Sequence, residues 1–331
     1  MWYGAQAGLL RRRTGGFSRP GEPEYRPRSP PGDQASFRRA LSQLFEDDRA
    51  NIVAGLYPAP DTVRLRDLPR AVASTRLMFA DADQVNQRRI ARAGAEVREV
   101  ADPSRYPAYY RQNFHYQSGG WFTEDSARLY DTQVEVLFGG TADVMRRAVL
   151  AELARDIRSQ NRRDQTLLDL ASGTGRFLSQ VMDAYPRLNA IGVDLSPAYC
   201  AKARKTLSPW PNAQVVEGKA EAIPLEDDSV DLASCIYLFH ELPPRLRQQA
   251  AREVFRVLKP GGLFVFGDSL QPGDNPCMDR RLEYFPEGFH EPYYRSYCTE
   301  DLDALFSGAG FTDEGRKLAF LTKVMRWRKP G

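Results

Sequence analysis

The residues best suited to chemistry lie in a glycine-containing turn, Leu-Leu-Asp-Leu-Ala-Ser-Gly-Thr-Gly, at 167–175. Gly173 and Gly175 have no side chain to keep a ligand away from the backbone, and a following helix would present its N-terminus at the same place. The turn therefore predicts a ligand-binding loop. A dehydrogenase fingerprint would have a third glycine where this chain has Leu178, so a nicotinamide cofactor is disfavoured.

Two carboxylates follow apolar segments in this region. Asp169 ends the first predicted strand, and Asp194 ends the second in Ile-Gly-Val-Asp-Leu-Ser. Asp194 comes 19 residues after Gly175, where an acid can accept hydrogen bonds from both hydroxyls of a ribose. We therefore predict that Asp194 binds the ribose of a nucleoside.

The chain has three histidines, each preceded by phenylalanine: His115, His240 and His290. A histidine of near-neutral pKa can take a proton from a hydroxyl or an activated carbon. His240 is the first candidate for this catalytic role, and Tyr237 and His290 are further candidates. Tyr237 is also a candidate contact of the bound cofactor. A purely structural, hydrogen-bonded histidine is the alternative for each of them.

The sequence predicts no metal site, because neither the carboxylates nor the histidines cluster with ligand-like spacing. Its four cysteines are dispersed without a Cys-x-x-Cys pair, which is typical of reduced thiols. The absence of any apolar run near the ~20 residues of a membrane span predicts a protein without a transmembrane segment. A cytoplasmic location is the expectation, and nothing indicates an oligomeric state.

Positive charge is concentrated near the N-terminus. The net charge is +3, and residues 1–40 contain eight arginines but three acids. Residues 1–34 are predicted to be a disordered Arg- and Pro-rich tail, or alternatively an organelle-targeting peptide. Because the rest of the chain is near neutral, a nucleic-acid partner is not expected. An RNA- or protein-directed enzyme or binding module that uses the tail is the alternative.

The elements that must position these residues follow from apolar periodicity. Residues 35–122 read as a helical cap that ends in an aromatic-rich segment, 106–122. Helices are then expected from Thr123 to Phe138 and from Thr141 to about Ser159. Beyond them, short apolar strands alternate with helices, which predicts a doubly wound, mostly parallel α/β sheet. The predicted strands are 166–171, 188–193, 213–217, 230–237 and 262–268.

Together, these motifs resemble those of the class I S-adenosylmethionine-dependent methyltransferases, in particular the quinone-biosynthesis-like branch called methyltransferase type 11. The resemblance rests on Asp169, Asp194, Gly-Lys-Ala-Glu at 218–221 and Leu-Lys-Pro-Gly-Gly at 258–262. It covers about residues 125–315 and implies a seven-stranded Rossmann-like domain over 123–331. It also implies S-adenosylmethionine as cofactor.

The resemblance further implies roles for single residues. Asp169 would orient the amino group of the cofactor, and Ser172 would lie in the loop that Gly173 and Gly175 bring against it. Ala171 replaces the family's first loop glycine, so we expect a right-handed conformation there. Tyr130 is a further candidate cofactor contact.

Adenine recognition departs from the family pattern. Lys219 stands where the family commonly has an aspartate that accepts a hydrogen bond from the adenine amino group, and a charged lysine cannot accept one. The Ala220 backbone and apolar contacts from Leu195 and Ile223 are expected to serve instead.

The acceptor is expected to be small. Enzymes that methylate nucleic-acid bases often carry Asp or Asn followed by Pro-Pro-aromatic after the fourth strand, and this chain has Tyr-Leu-Phe-His-Glu at 237–241. In the family, the segment matching 270–298 commonly covers the acceptor, and here it holds six Phe and Tyr residues. An aromatic lid of this kind predicts O- or C-methylation of an aromatic, quinone-like or otherwise apolar molecule. Simple packing of these rings is the alternative.

Overall fold

A computed structural model describes residues 2–14, 25–60, 68–99, 101–159 and 163–331, and these form two compact units. The sheet unit comprises residues 32–58, 144–279 and 293–331. The helical unit comprises residues 1–31, 59–143 and 280–292. Each unit is assembled from three separate stretches of chain.

The sheet unit is built on seven strands in the order β3-β2-β1-β4-β5-β7-β6. The strands are β1 (Thr166–Leu170), β2 (Asn189–Asp194), β3 (Ala213–Glu217), β4 (Val230–Ile236), β5 (Leu258–Ser269), β6 (Thr312–Ala319) and β7 (Thr322–Arg328). Strands β1 to β5 pair in parallel, whereas β7 is antiparallel to both β5 and β6. The predicted mostly parallel, seven-stranded sheet is confirmed.

The strands are nearly continuous apolar runs because helices cover both faces of such a sheet. Leu167, Leu168, Ala233 and Val265 are fully buried. The helices of this unit include α2 (Gln34–Val53), most of α5 (Ala142–Ser159), α6 (Arg176–Ala184), α7 (Pro197–Leu207), α8 (Pro244–Val257), α10 (Tyr294–Tyr297) and α11 (Leu302–Ala309). None of the described helices is both long and apolar enough to cross a bilayer.

The order of the strands reverses at β1, because β1 lies between β2 on one side and β4 on the other. Ligands of open α/β sheets bind in the crevice beyond the carboxyl ends of the strands at such a switch point. Asp169 and Asp194 lie at the carboxyl ends of the adjacent strands β1 and β2. The topology therefore brings the two predicted carboxylates to one edge of the sheet.

Helix α2 packs within the sheet unit, although it lies more than 100 residues before the strands that it contacts. The ring of Phe37 packs against Phe320 with centroids 5.2 Å apart. The guanidinium of Arg147 binds both carboxylate oxygens of Asp48 at 2.7 Å. The predicted boundary between the cap and the catalytic domain at 122/123 thus differs from the observed division, in which residues 32–58 belong with the sheet.

The helical unit contains α1 (Trp2–Thr14), α3 (Leu68–Ala91), α4 (Glu124–Leu137) and most of α9 (Pro276–Gly288). Helix α1 lies in the segment 1–34 that the sequence predicts to be disordered. It contacts α3 through a hydrogen bond from Gln6 to Thr75 and an ion pair between Arg13 and Asp83. The rest of that prediction includes residues 15–24, which lie outside the described residues.

Candidate active site

The glycine loop between β1 and α6 has three residues in the left-handed region. These are Ala171 (φ 58°), Gly173 (φ 55°) and Gly175 (φ 75°). A Cβ at Gly173 would have nothing within 4 Å, whereas one at Gly175 would come within 3.2 Å of the Ala203 backbone. The backbone of Gly173 therefore borders open space, and Gly175 is required for the close packing of α6 on α7.

The left-handed conformation of Ala171 shows that the expectation of a right-handed conformation was wrong. L-residues are disfavoured in this region because the Cβ crowds the following carbonyl. The loop closes through hydrogen bonds from the Gly175 amide to the Ser172 carbonyl and from the Ser172 amide to the Val193 carbonyl. These bonds hold Ala171 at an angle that glycine would adopt without strain.

Asp194 is the acceptor that organises this loop. One carboxylate oxygen accepts a hydrogen bond from the Gly173 amide at 2.8 Å, and the other accepts one from the Ser196 amide at 2.9 Å. Burial raises the pKa of Asp194, and these two amide donors act in the opposite direction. Because each carboxylate oxygen has two lone pairs, both can still accept bonds from a ligand.

Asp169 is buried beneath the loop. Its carboxyl accepts a hydrogen bond at 2.8 Å from the hydroxyl of Ser234, which is its partner in the register of β1 and β4. Burial, with a smaller contribution from the nearby Asp194 charge, raises the pKa of Asp169 to about 7, while Ser234 and the Arg146 charge oppose the rise. A cation placed next to this carboxyl would favour its ionised form.

The segment after β3 is tied to the same centre. The Gly218 amide donates to the Asp194 carbonyl at 2.9 Å. Lys219 forms an isolated bridge with Ala222, and the side chains of Lys219, Ala220 and Leu195 are half-buried. The predicted adenine-binding segment is therefore held beside the predicted ribose-binding residue.

His240 lies just beyond the end of β4 and is paired with a buried acid. Its Nδ1 is 2.6 Å from a carboxylate oxygen of Asp268, which follows the last residue of β5 that pairs with β4. Asp268 is fully buried and His240 is only 6% exposed. The imidazole makes edge-to-face contacts with the rings of Tyr294 and Tyr297, whose centroids lie 5.9 and 6.2 Å from its own.

Glu241, which is half-buried, adds a second carboxyl next to this histidine. Burial raises the pKa of Glu241 to about 8, with the charges of Asp268 and Asp194 raising it further and that of His240 lowering it. Two carboxyls near the loop, Asp169 and Glu241, thus have pKa values close to neutrality. Such shifts are concentrated at functional sites.

Tyr237 has a left-handed backbone, with φ at 58°. Its amide donates to the Gly267 carbonyl, and its hydroxyl lies 2.6 Å from the hydroxyl of Thr322 at the start of β7. The side chain is half-buried. The hydroxyl of Tyr237 is therefore hydrogen-bonded to strand β7. Only its aromatic ring is suited to line a ligand pocket.

Two further candidates, His290 and Tyr130, belong to the helical unit. The Nε2 of His290 lies 2.8 Å from the side-chain oxygen of Gln112, and burial lowers the pKa of His290. The ring of Tyr130 contacts Trp121 at a centroid distance of 5.5 Å. The structure therefore does not bring His290 and Tyr130 into the same unit as Asp194 and His240.

The aromatic insertion predicted at 270–298 divides between the units. In the helical unit, Phe285 and Phe289 lie 6.1 and 5.7 Å from the ring of His115, in the aromatic segment 106–122. In the sheet unit, Tyr294 and Tyr297 contact His240. The two aromatic segments thus contact each other within the helical unit, and the acceptor lid stays a prediction.

Sequence reasoning did not identify Ser234, Asp268 and Glu241. Asp268 had a detectable signal, because it ends the buried run Leu-Phe-Val-Phe-Gly-Asp, much as Asp169 and Asp194 end theirs. Ser234 had none, since its role depends on the register of β4 with β1.

The strain at Ala171 can be measured by substitution with glycine. We expect Ala171→Gly to stabilise the protein by about 0.5 kcal/mol, because relief of about 1–2 kcal/mol of left-handed strain exceeds the added entropy of the unfolded chain. The control is Ala201→Gly in the interior of α7, which should destabilise by about 1 kcal/mol. Urea unfolding measures both, and destabilisation by Ala171→Gly would contradict the argument.

Known proteins share the part of the chain that contains this site. A family described as a methyltransferase domain matches residues 167–262, from the glycine loop to the start of β5. A methyltransferase-like protein of Schizosaccharomyces pombe is 40% identical over 145 residues, 44% of this chain and 53% of that one. The chain therefore spans about half the length of this relative.

Two further relatives are bacterial. A methyltransferase of Synechocystis is 32% identical over 148 residues, which are 45% of this chain and 67% of the relative. A demethylmenaquinone methyltransferase of Chlorobaculum tepidum is 34% identical over 142 residues, 42% of this chain and 54% of the relative. Together with the strand order and the matched glycine loop, these similarities confirm the resemblance seen in the motifs: the chain belongs to the class I S-adenosylmethionine-dependent methyltransferases.

Proposed function

We propose that the sheet unit binds S-adenosylmethionine and methylates oxygen or carbon of a small aromatic, quinone-like or otherwise apolar acceptor. Binding of the cofactor is supported mainly by the Asp194 carboxylate, which accepts a hydrogen bond from the Gly173 amide. This bond lies beside the open space at Gly173. The proposed class of acceptor is supported by the aromatic rings around His240 and by the demethylmenaquinone methyltransferases among the relatives.

The residues present fit the cofactor. Asp194 retains lone pairs for the ribose hydroxyls, and Gly173 leaves room for a ligand to approach the backbone. Asp169 offers a buried carboxyl to an ammonium group. The Ser172 hydroxyl is directed toward Gly192, because a Cβ there would come within 2.7 Å of it, so Ser172 would act through its backbone.

The chain's own contribution to methyl transfer is to orient, to exclude water and to hold a proton. Bound S-adenosylmethionine would supply a methyl group on a sulfonium sulfur, which keeps the electron pair of the broken carbon–sulfur bond. The acceptor must then lose a proton, and His240 is the group in the sheet unit best placed among aromatic rings to take it. An acceptor with an ionisable phenolic or enolic hydroxyl suits this chemistry.

Cofactor binding depends on Asp194 in this proposal. We expect Asp194→Asn to weaken S-adenosylmethionine binding about 10- to 100-fold, because hydrogen bonds to a charged acceptor contribute about 1.5–3 kcal/mol. Isothermal titration calorimetry measures the affinity, with thermal unfolding as the check on folding. Asp227→Asn changes an exposed carboxylate of the same unit and should leave the affinity unchanged. Absence of binding by the folded wild-type protein would refute the proposal.

The raised pKa of Asp169 makes a pH dependence testable. With a pKa of about 7, its carboxyl is protonated in the ligand-free protein at lower pH and must ionise to bind an ammonium. S-Adenosylmethionine affinity should therefore fall as pH decreases below about 7, approaching tenfold per pH unit. Asp169→Asn should bind more weakly at about pH 7.5 and lose this dependence. An affinity that rises on acidification would contradict the role of Asp169.

The acceptor class can be tested by following the methyl group. Incubation with methyl-labelled S-adenosylmethionine and a reduced naphthoquinone that lacks a ring methyl should give a methylated product by mass spectrometry. A cell extract fractionated by size should likewise carry the label in small apolar molecules. Asp194→Asn serves as the weakened control. Label confined to RNA or protein would overturn the small-molecule assignment and favour the alternative function.

A further inference from the structure

Asp268 is built into the sheet as an acceptor. It is fully buried at the carboxyl end of β5, and three backbone N–H groups and the imidazole Nδ1 of His240 surround its two carboxylate oxygens. One oxygen receives the Phe239 amide at 2.8 Å and the His240 amide at 3.4 Å. The other receives the Ser269 amide at 2.7 Å and lies 2.6 Å from the His240 ring. Because both oxygens already accept hydrogen bonds from backbone N–H groups, this carboxyl is placed as an acceptor toward its surroundings.

An ionised carboxylate can only accept hydrogen bonds. The short contact with His240 therefore requires the imidazole Nδ1 to carry a proton. In the neutral ring the lone pair then belongs to Nε2, which becomes the basic nitrogen. The geometry thus selects one of the two tautomers of His240.

The segment that carries His240 is fixed from a second direction by Arg247 on α8, whose side chain is fully buried. Its Nε donates to the Phe239 carbonyl at 2.8 Å. Its other nitrogens bind the Glu300 carboxylate and the Tyr293 carbonyl at 2.8 and 2.9 Å. Phe239 is therefore held by Asp268 at its amide and by Arg247 at its carbonyl, immediately before the histidine.

We propose that Asp268 is a positioning residue for methyl transfer, which holds His240 in the Nδ1–H tautomer so that Nε2 receives the acceptor's proton. This inference rests on the proposed function. The proton moves from the acceptor's hydroxyl to Nε2, and the electron pair of the O–H bond stays with the acceptor as the nucleophile. The resulting imidazolium is balanced by the Asp268 carboxylate. Among the described residues of this unit, Glu241, Tyr294 and Tyr297 are ionisable groups that also lie next to His240.

The tautomer can be read directly by NMR of the full-length protein with ¹⁵N-labelled histidine. The chain has three histidines, and His240→Gln assigns the relevant signals. We expect the wild-type spectrum to show a protonated Nδ1 and an unprotonated Nε2 for neutral His240. Because this measurement needs no variant of Asp268, an Nε2–H tautomer in the wild-type protein would by itself overturn the proposal.

Asp268→Asn tests the positioning role. Its amide can donate to Nδ1, which would shift His240 to the Nε2–H tautomer, as in a catalytic triad whose aspartate is replaced by asparagine. We expect kcat to fall about 100-fold or more while S-adenosylmethionine affinity stays unchanged. The matched control is Asp274→Asn, which changes an acid paired with Lys323 and should leave both tautomer and kcat unchanged.

Different results would contradict the proposed function and the positioning role of Asp268. If the wild-type protein binds no S-adenosylmethionine and transfers no methyl group, the proposed function fails. If transfer occurs but Asp268→Asn retains the wild-type tautomer and kcat, the positioning role fails while the function stands. Loss of kcat together with loss of cofactor affinity would also count against a positioning role, since it would indicate general disruption of the site.

Discussion

The hydrogen bond from the Gly173 amide to the Asp194 carboxylate is the interaction on which the site depends. It joins the loop after β1 to the end of β2. The same residue accepts the Ser196 amide at the start of α7 with its other oxygen and the Gly218 amide after β3 with its carbonyl. Three consecutive strand ends are therefore joined to one residue, through its carboxylate and its backbone carbonyl, and a nucleoside bound there would meet a preorganised surface.

Acids recur at the carboxyl ends of the central parallel strands. Asp169, Asp194 and Asp268 end or nearly end β1, β2 and β5. Burial of a charged carboxyl is costly unless hydrogen bonds replace the lost water. Asp194 and Asp268 accept hydrogen bonds from backbone amides, whereas Asp169 accepts one from the Ser234 hydroxyl. Burial raises the pKa of both Asp194 and Asp169, and that of Asp169 to about 7. The three acids thus differ in the hydrogen-bond donors that stabilise their carboxyl groups in the buried sheet edge.

Two non-glycine residues in the same region have a left-handed backbone. Ala171 and Tyr237 are both left-handed, and each follows directly on a central strand. Such conformations persist where surrounding bonds determine them, and they often occur at functional sites. At Ala171 the loop bonds to Ser172 and Val193 impose the angle. The expectation from sequence failed there because residue preference is local, whereas this angle is imposed by the neighbouring strand.

The sequence by itself determined the alternation of strands and helices, the glycine loop and the candidate acids Asp169 and Asp194. Those features are local, because they follow from apolar periodicity and from the backbone freedom of glycine. Only the tertiary structure decided that Asp268 pairs with His240, that Ser234 meets Asp169, and that α2 packs in the sheet unit. These pairs are separated by 28 and 65 residues along the chain. Strand order and register bring them together, and no local pattern in one sequence encodes such a contact.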